Sequence, residues 1–181
     1  LKGVKLNSTF NKFSDIIYYN GDDDFWIHLG KNIQVKDFTY YIRDEKNVLV
    51  SGYSGIGNPT FVNEITLSNH NLNVIGIARN AFEGASIDTL IIPDFIESIG
   101  ENAFKDCLGL KFIECKGANP PICNQSFGYG LNEAKIYANC ELSVPSESFK
   151  LYRLMDCWEK FDTKAYDFEM EVIPSTDHAT F

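Results

Sequence analysis

The sequence predicts a β-rich solenoid, a stack of short coils with wide faces and no single deep pocket. Two observations carry this. Ile77-Ala78-Arg79-Asn80-Ala81-Phe82 is echoed by Ile99-Gly100-Glu101-Asn102-Ala103-Phe104, 22 positions later. Each block is followed by an apolar run with strand character, Ile87 to Pro93 and then Leu110 to Cys115. Self-similarity at a period of roughly 20–50 residues marks a repeat architecture, in which each unit buries its apolar face only against its neighbours.

Residues 1–36 fit no pattern and are left unassigned. Within them Asn20-Gly21-Asp22-Asp23-Asp24 signals a turn and Phe25 to Leu29 a strand. Three adjacent aspartates lack the alternating ligand spacing and distant Glu of a calcium loop, so the turn is read as solvated. A hairpin lead-in occupies 37–59. Phe38, Tyr40 and Ile42 alternate, Asp44 to Asn47 turns, and Val48 to Tyr53 returns.

The repeats are placed at 60–117. Strands are expected at Glu64 to Leu67, Thr89 to Ile92 and Phe112 to Cys115, with Ser68 to Asn73 as a longer loop. Strand side chains alternate faces, so Ile65, Leu90 and Ile113 should stack as one inward column and Leu67, Ile92 and Cys115 as the next. Phe82 and Phe104 fill the far corner. Asn80 and Asn102 are expected to bond backbone groups that no sheet satisfies.

A closing region spans 118–173, beyond the break at Gly117 to Pro121. Ala134 to Tyr137 reads as a strand. Ser148 reads as the N-cap of a helix running to about Phe161, with Phe149, Tyr152, Met155, Trp158 and Phe161 as its core stripe. Tyr166, Phe168, Met170 and Val172 alternate as a last strand, and 174–181 is a polar tail. The whole of 1–181 is taken as a single domain.

Composition narrows the partners. A net charge of −9 disfavours nucleic acid and anionic membrane, both of which need a basic face. No apolar run reaches the roughly 18 residues of a membrane span. The chain starts at Leu1 without a charged-then-apolar leader and is expected to be a mature or trimmed form. The five cysteines, Cys107, Cys115, Cys123, Cys140 and Cys157, form no CxxC pair. A local Cys115–Cys123 bridge is open, as is the alternative that all are small buried apolar groups.

Chemistry is sparse. His28, His70 and His178 sit in no nucleophile or zinc motif, and no phosphate loop or dinucleotide fingerprint occurs. No enzyme activity, cofactor or metal is expected. Asn7-Ser8-Thr9 and Asn124-Gln125-Ser126 fit the glycosylation triplet, which is common by chance.

The repeat resembles that of the BspA-like leucine-rich repeat family of bacterial surface and secreted proteins. That repeat runs Ile-Gly-x-Asn-Ala-Phe, then a loop often holding Cys, then Leu-x-x-Ile-x-Ile-Pro. Ile99 to Phe104 with Cys107 and Leu110 matches, Ile77 to Phe82 matches with Ala78 in place of the glycine, and Ile87 to Pro93 matches the strand. The hairpin, Pro120-Pro121, and Val144-Pro145 with Ser148, Tyr152, Trp158 and Phe161 look like the family's flanks, so the resemblance covers roughly 37–165. It implies a leucine-rich-repeat solenoid, a right-handed coil of about three short repeats, with an N-terminal β-hairpin cap and a C-terminal helix-plus-strand cap. It also implies an extracellular or cell-surface location and action by binding a host or bacterial surface protein, or a glycan. The family has no shared catalytic residues.

If Leu90 and Ile92 point inward, Thr89 and Ile91 point out, and the same register turns Glu64, Thr66, Phe112 and Glu114 outward. Apolar Ile91 and Phe112 rimmed by polar groups form a candidate ligand face. Tyr129, between Gly128 and Gly130, is a second candidate contact. The alternative function is a structural or assembly role, packing against a partner or another domain of a larger envelope protein.

Overall fold

The computed structural model describes residues 17–20, 26–67 and 70–166. Strands β1 (Ile17–Asn20) and β2 (Trp26–Leu29) form an antiparallel pair, Asn20 opposite Trp26. Of the acidic turn between them only Asn20 is among the described residues. β3 (Asn32–Val35), β4 (Phe38–Ile42) and β5 (Asn47–Tyr53) make an antiparallel meander. The expected hairpin is its second half, and β3 is an added strand from the unassigned segment. Asp44 shapes the β4–β5 turn because its carboxylate accepts from Lys46 N–H at 2.9 Å and the Asn47 amide at 3.0 Å.

β6 (Glu64–Leu67) and β7 (His70–Ile77) follow. Here the expectation fails twice. The segment assigned to a loop is strand from His70, because Leu72 and Val74 alternate inward between exposed Asn71 and Asn73. β6 is also no rung below the later strands: it pairs antiparallel with β7, Leu67 opposite His70. A connection of two residues between them forces that antiparallel return.

From β8 (Thr89–Ile92) the chain alternates between two sheets. β9 (Ser98–Ile99), β10 (Phe112–Cys115) and β11 (Ile122–Cys123) lead to helix α1 (Gly130–Asn139) and β12 (Glu141–Pro145). A 3-10 turn (Ser146–Ser148), one-turn helix α2 (Phe149–Tyr152) and β13 (Asp162–Tyr166) complete the described chain. One sheet has the order β13-β12-β10-β8, all parallel. The other runs β11-β9-β7-β5-β4-β3, with β6 beside β7, and is parallel from β5 to β11.

Between the sheets lies one core. Leu90, Ile113 and Leu142 stack by register in one column, and Ile92 pairs with Cys115 in the next, beside Val144. The columns expected from Leu90 and Ile92 upward are present; their next rung is β12, not β6. At the far corner Phe82 stacks on Phe104 at 5.1 Å, and Phe104 on Phe127 at 5.6 Å. Main-chain bonds join the same rungs, from Phe82 N–H to Ala103 O and from Phe104 N–H to Ser126 O, both 2.8 Å.

The corner asparagines act through their backbone. Asn80 and Asn102 both have φ 58°, and Gln125 has φ 51°. Asparagine tolerates this left-handed region better than other side chains. At Asn102 the side-chain oxygen does not take up the expected backbone bond: buried Oδ1 has no partner. Gly100 is demanded by proximity, since an added Cβ would lie 2.5 Å from Arg79 N of the preceding corner. Gln125-Ser126-Phe127 is thus a third corner, which the sequence disguises by replacing Asn-Ala and dropping one residue.

The closing region differs most. Ala134 to Tyr137 lies inside α1, where Ile136 is buried. A four-residue stretch such as Ala-Lys-Ile-Tyr is too short for its periodicity to distinguish strand from helix. The long helix expected to Phe161 ends at Tyr152. Cys157 takes φ 58°, which a helix cannot contain, and is bridged to Cys123 across 34 positions at a Cα–Cα distance of 6.3 Å. The aromatic stripe is core all the same: Tyr152 Oη donates to Gly117 O at 3.0 Å and Trp158 Nε1 to Pro121 O at 2.8 Å, both buried. The last strand among the described residues is β13, which ends at Tyr166; the rest of the expected closing strand, Phe168, Met170 and Val172, lies outside the described residues. The Cys115–Cys123 bridge is also corrected. Cys115 points into the core column, while Cys107, Cys115 and Cys140 are free and buried.

Candidate binding face

The outer side of the four-stranded sheet carries two register rows. Thr89, Phe112, Glu141 and Asp162 form one; Ile91, Glu114, Ser143 and Lys164 form the other. Alternation puts these side chains outside because Leu90, Ile92, Ile113 and Leu142 occupy the inner positions. Ile91 is 44% exposed, a large apolar side chain left in water, with half-buried Phe112 on the adjacent strand.

Charges frame this apolar pair. Lys116 Nζ pairs with Glu114, and Lys164 Nζ lies 3.5 Å from Asp162 Oδ2 and 3.6 Å from Glu141 Oε2. The attraction of Asp162 and then Glu141 raises the Lys164 pKa above the usual lysine value. These are exposed pairs, so they add little stability; their role is to set a charge pattern.

Of the seven predicted contact residues, Thr89, Ile91, Phe112 and Glu114 come together. Glu64 and Thr66 do not: they lie exposed on β6, which belongs to the other sheet, and line a separate groove with Val35, Phe38 and Val62. Tyr129 is 64% exposed at the start of α1, beside the corner loop that holds Lys105 and Asp106, away from both rows. Positive φ at Gly128 (89°) and Gly130 (75°) sets the turn that displays it.

Glu141, Ser143, Asp162 and Lys164 were missed as face residues. A signal existed for the first two. Leu142-Ser143-Val144-Pro145 repeats Leu90-Ile91-Ile92-Pro93, with the polar residue in the outward slot. Nothing comparable marks Asp162 to Tyr166. His70 is exposed on β7, whereas the side chains of His28 and His178 lie outside the described residues. Among the described residues no group of three or more His, Cys, Asp and Glu gathers as a metal site.

Residues 31–154 match the model of the BspA type leucine-rich repeat region, in six copies. The chain belongs to the BspA-type leucine-rich repeat family. The matched stretch is wider than the 60–117 expected for the repeats, and six copies replace the three expected coils. A leucine-rich repeat protein from Bacteroides capillosus superposes with a TM-score of 0.50 at 21% identity, over 75% of this chain and 94% of that one. The likeness shows the fold. A leucine-rich cell surface protein from Faecalibacterium prausnitzii aligns at 20% identity over 46% of this chain and 23% of its own, with a TM-score of 0.43. No curated protein sequence matches the chain. BspA-type repeat proteins are typically bacterial surface or secreted proteins that act by binding. Among the described residues no helix is long and apolar enough to cross a membrane.

Proposed function

We propose that this chain is a non-enzymatic adhesion module, displayed extracellularly or at a bacterial cell surface, that binds a protein through the outer face of β8, β10, β12 and β13. One observation carries the reading: Ile91 on the edge strand β8 and Phe112 on neighbouring β10 form an apolar patch, exposed at Ile91, that is bordered on β10 and β12 by Glu114, Lys116 and Glu141. An apolar centre with a charged rim is the anatomy of a protein interface. A parallel sheet normally has both faces covered, so an open face calls for a partner. The proposed architecture is a single right-handed coiled domain, led in by 37–59 and closed by 118–173.

An array of extracellular-matrix and surface proteins tests this. A hit should weaken at least tenfold with Ile91→Glu or Phe112→Glu, about 1.4 kcal/mol. Retention of binding by both variants would remove the face from consideration. The second reading, packing against another domain or copy, predicts an oligomer in light scattering that the same substitutions dissolve.

A further inference from the structure

We propose that an open groove on the other sheet binds a neutral oligosaccharide, its rings lying across the strands against Tyr41 and Leu49 and its hydroxyls bonded by Asn32, Ser51 and Gln125. This site shares no residue with the β8–β13 face and does not rest on the protein-binding reading.

The groove follows from register. Asn32, Tyr41, Leu49, Gly76, Ser98 and Ile122 face one another in succession across β3, β4, β5, β7, β9 and β11. Six strands at about 4.8 Å make a track of roughly 24 Å, long enough for several sugar rings. The depression beside this row has a volume of about 780 Å³. Gly76 keeps its floor low. A Cβ there would lie 2.8 Å from Ser98 Oγ and 3.1 Å from Leu49 Cδ2, so any side chain would lift into the track.

Its chemistry is neutral and two-sided. The polar groups are amides and hydroxyls, namely Asn32, Ser51, Ser98, Asn124 and Gln125. Arg79 and Glu101 pair at 3.1 Å, so the groove holds no net formal charge within a chain of net charge −9. A sugar hydroxyl both donates and accepts, and amide side chains offer both capacities in one plane. Ser51 Oγ donates to Asn32 Oδ1 at 2.7 Å, which orients the Asn32 amide and leaves its NH₂ for a ligand. Tyr41 supplies an aromatic surface for the C–H face of a ring. Ile122, 69% exposed, supplies an apolar contact at the far end.

Other ligand classes fit less well. An anion finds no unpaired cation here, since the groove's arginine is matched by Glu101. A lipid tail would bury several amides without partners, which is strongly unfavourable. A peptide adding as a strand needs a free edge, whereas the groove lies on the face of strands already paired within the sheet.

The test is titration calorimetry and ligand-observed NMR on the oxidised full chain. The probes are cellohexaose, maltohexaose, mannohexaose, xylohexaose and chitohexaose, with oligogalacturonate and an extended Ser/Thr-rich decapeptide as comparators. At least one neutral hexamer should bind. Tyr41→Ala should weaken it at least tenfold, Asn32→Ala and Ile122→Lys severalfold, and Ile91→Glu not at all. Asn32 and Ile122 are exposed, so these two decide the matter if Tyr41→Ala fails to fold. Three results would each overturn the proposal: no neutral hexamer binding at about 10 mM, binding that survives both exposed-residue variants, or binding confined to the charged sugar or the peptide.

Discussion

Opening the Cys123–Cys157 bridge should cost this protein a large part of its stability. The bridge ties β11 to the turns after α2, closing a loop of 34 positions. In the chain-entropy account, restoring that loop's freedom to the unfolded state is worth about 3.8 kcal/mol at 25 °C. The buried side-chain bonds from Tyr152 to Gly117 and from Trp158 to Pro121 also hold this region, at about 1 kcal/mol each, and are weaker than the bridge. Against a typical total of about 5–15 kcal/mol, the loss is decisive for β12 and β13, which lie on either side of this segment. Urea unfolding followed by tryptophan fluorescence, with and without reductant, reads the effect at Trp158. With a urea m-value of about 2.5 kcal/mol/M, the midpoint should fall by roughly 1.5 M. Cys123→Ala with Cys157→Ala should reproduce the shift and abolish any response to reductant. A midpoint that reduction leaves unchanged, with the bridge shown open by mass spectrometry, would refute the reasoning.

Three further outcomes follow from the core and corners. Phe104→Ala removes the central ring of the Phe82–Phe104–Phe127 stack and should cost about 3–5 kcal/mol in chemical denaturation, with a cavity visible as increased xenon or ANS binding. Asn102→Ala should cost about 1–2 kcal/mol because alanine resists φ 58°, while Asn102→Gly should stay within about 1 kcal/mol of the parent, since glycine adopts that region freely and removes a buried acceptor without a partner. Burial raises the Cys107 thiol to about 11, against 9.0 unburied, and the Cys140 thiol to about 12. Groups whose folded pKa is raised contribute stability that is intact below pH 9 and lost as pH climbs toward 11–12. The urea midpoint should therefore decline over that alkaline window, and thiol reagents should label Cys107 and Cys140 at pH 8 only after denaturation.

Several elements were legible because local chemistry overdetermines them. Asp44 to Asn47 could only turn, and the alternation on both sides made the hairpin. Leu90 and Ile92 faced inward because strand geometry permits no other reading next to the twin Asn-Ala-Phe blocks. Four of the seven predicted face residues therefore met on one sheet. Two escaped it because β6 obeys the same alternation but returns antiparallel to β7, and alternation carries no information about which strand lies alongside. Tyr129 is displayed as expected yet on another side, since two glycines set its direction independently of the sheets.

By itself, then, the sequence determined the repeat, the inward columns and the residue types that could form a face. A coil cannot bury apolar groups alone, so the periodic apolar positions had to stack. Tertiary structure decided which rungs stack on which. It placed β12 and β13 beyond β10, turned Ala134 to Tyr137 into helix, and broke the 149–161 stripe at Cys157 to meet Cys123. It also lined up Asn32, Tyr41, Leu49, Gly76, Ser98 and Ile122 into one track from six separated strands. Those outcomes depend on contacts between residues dozens of positions apart, and the packing that selects them overrides local preference wherever a short segment can adopt either form.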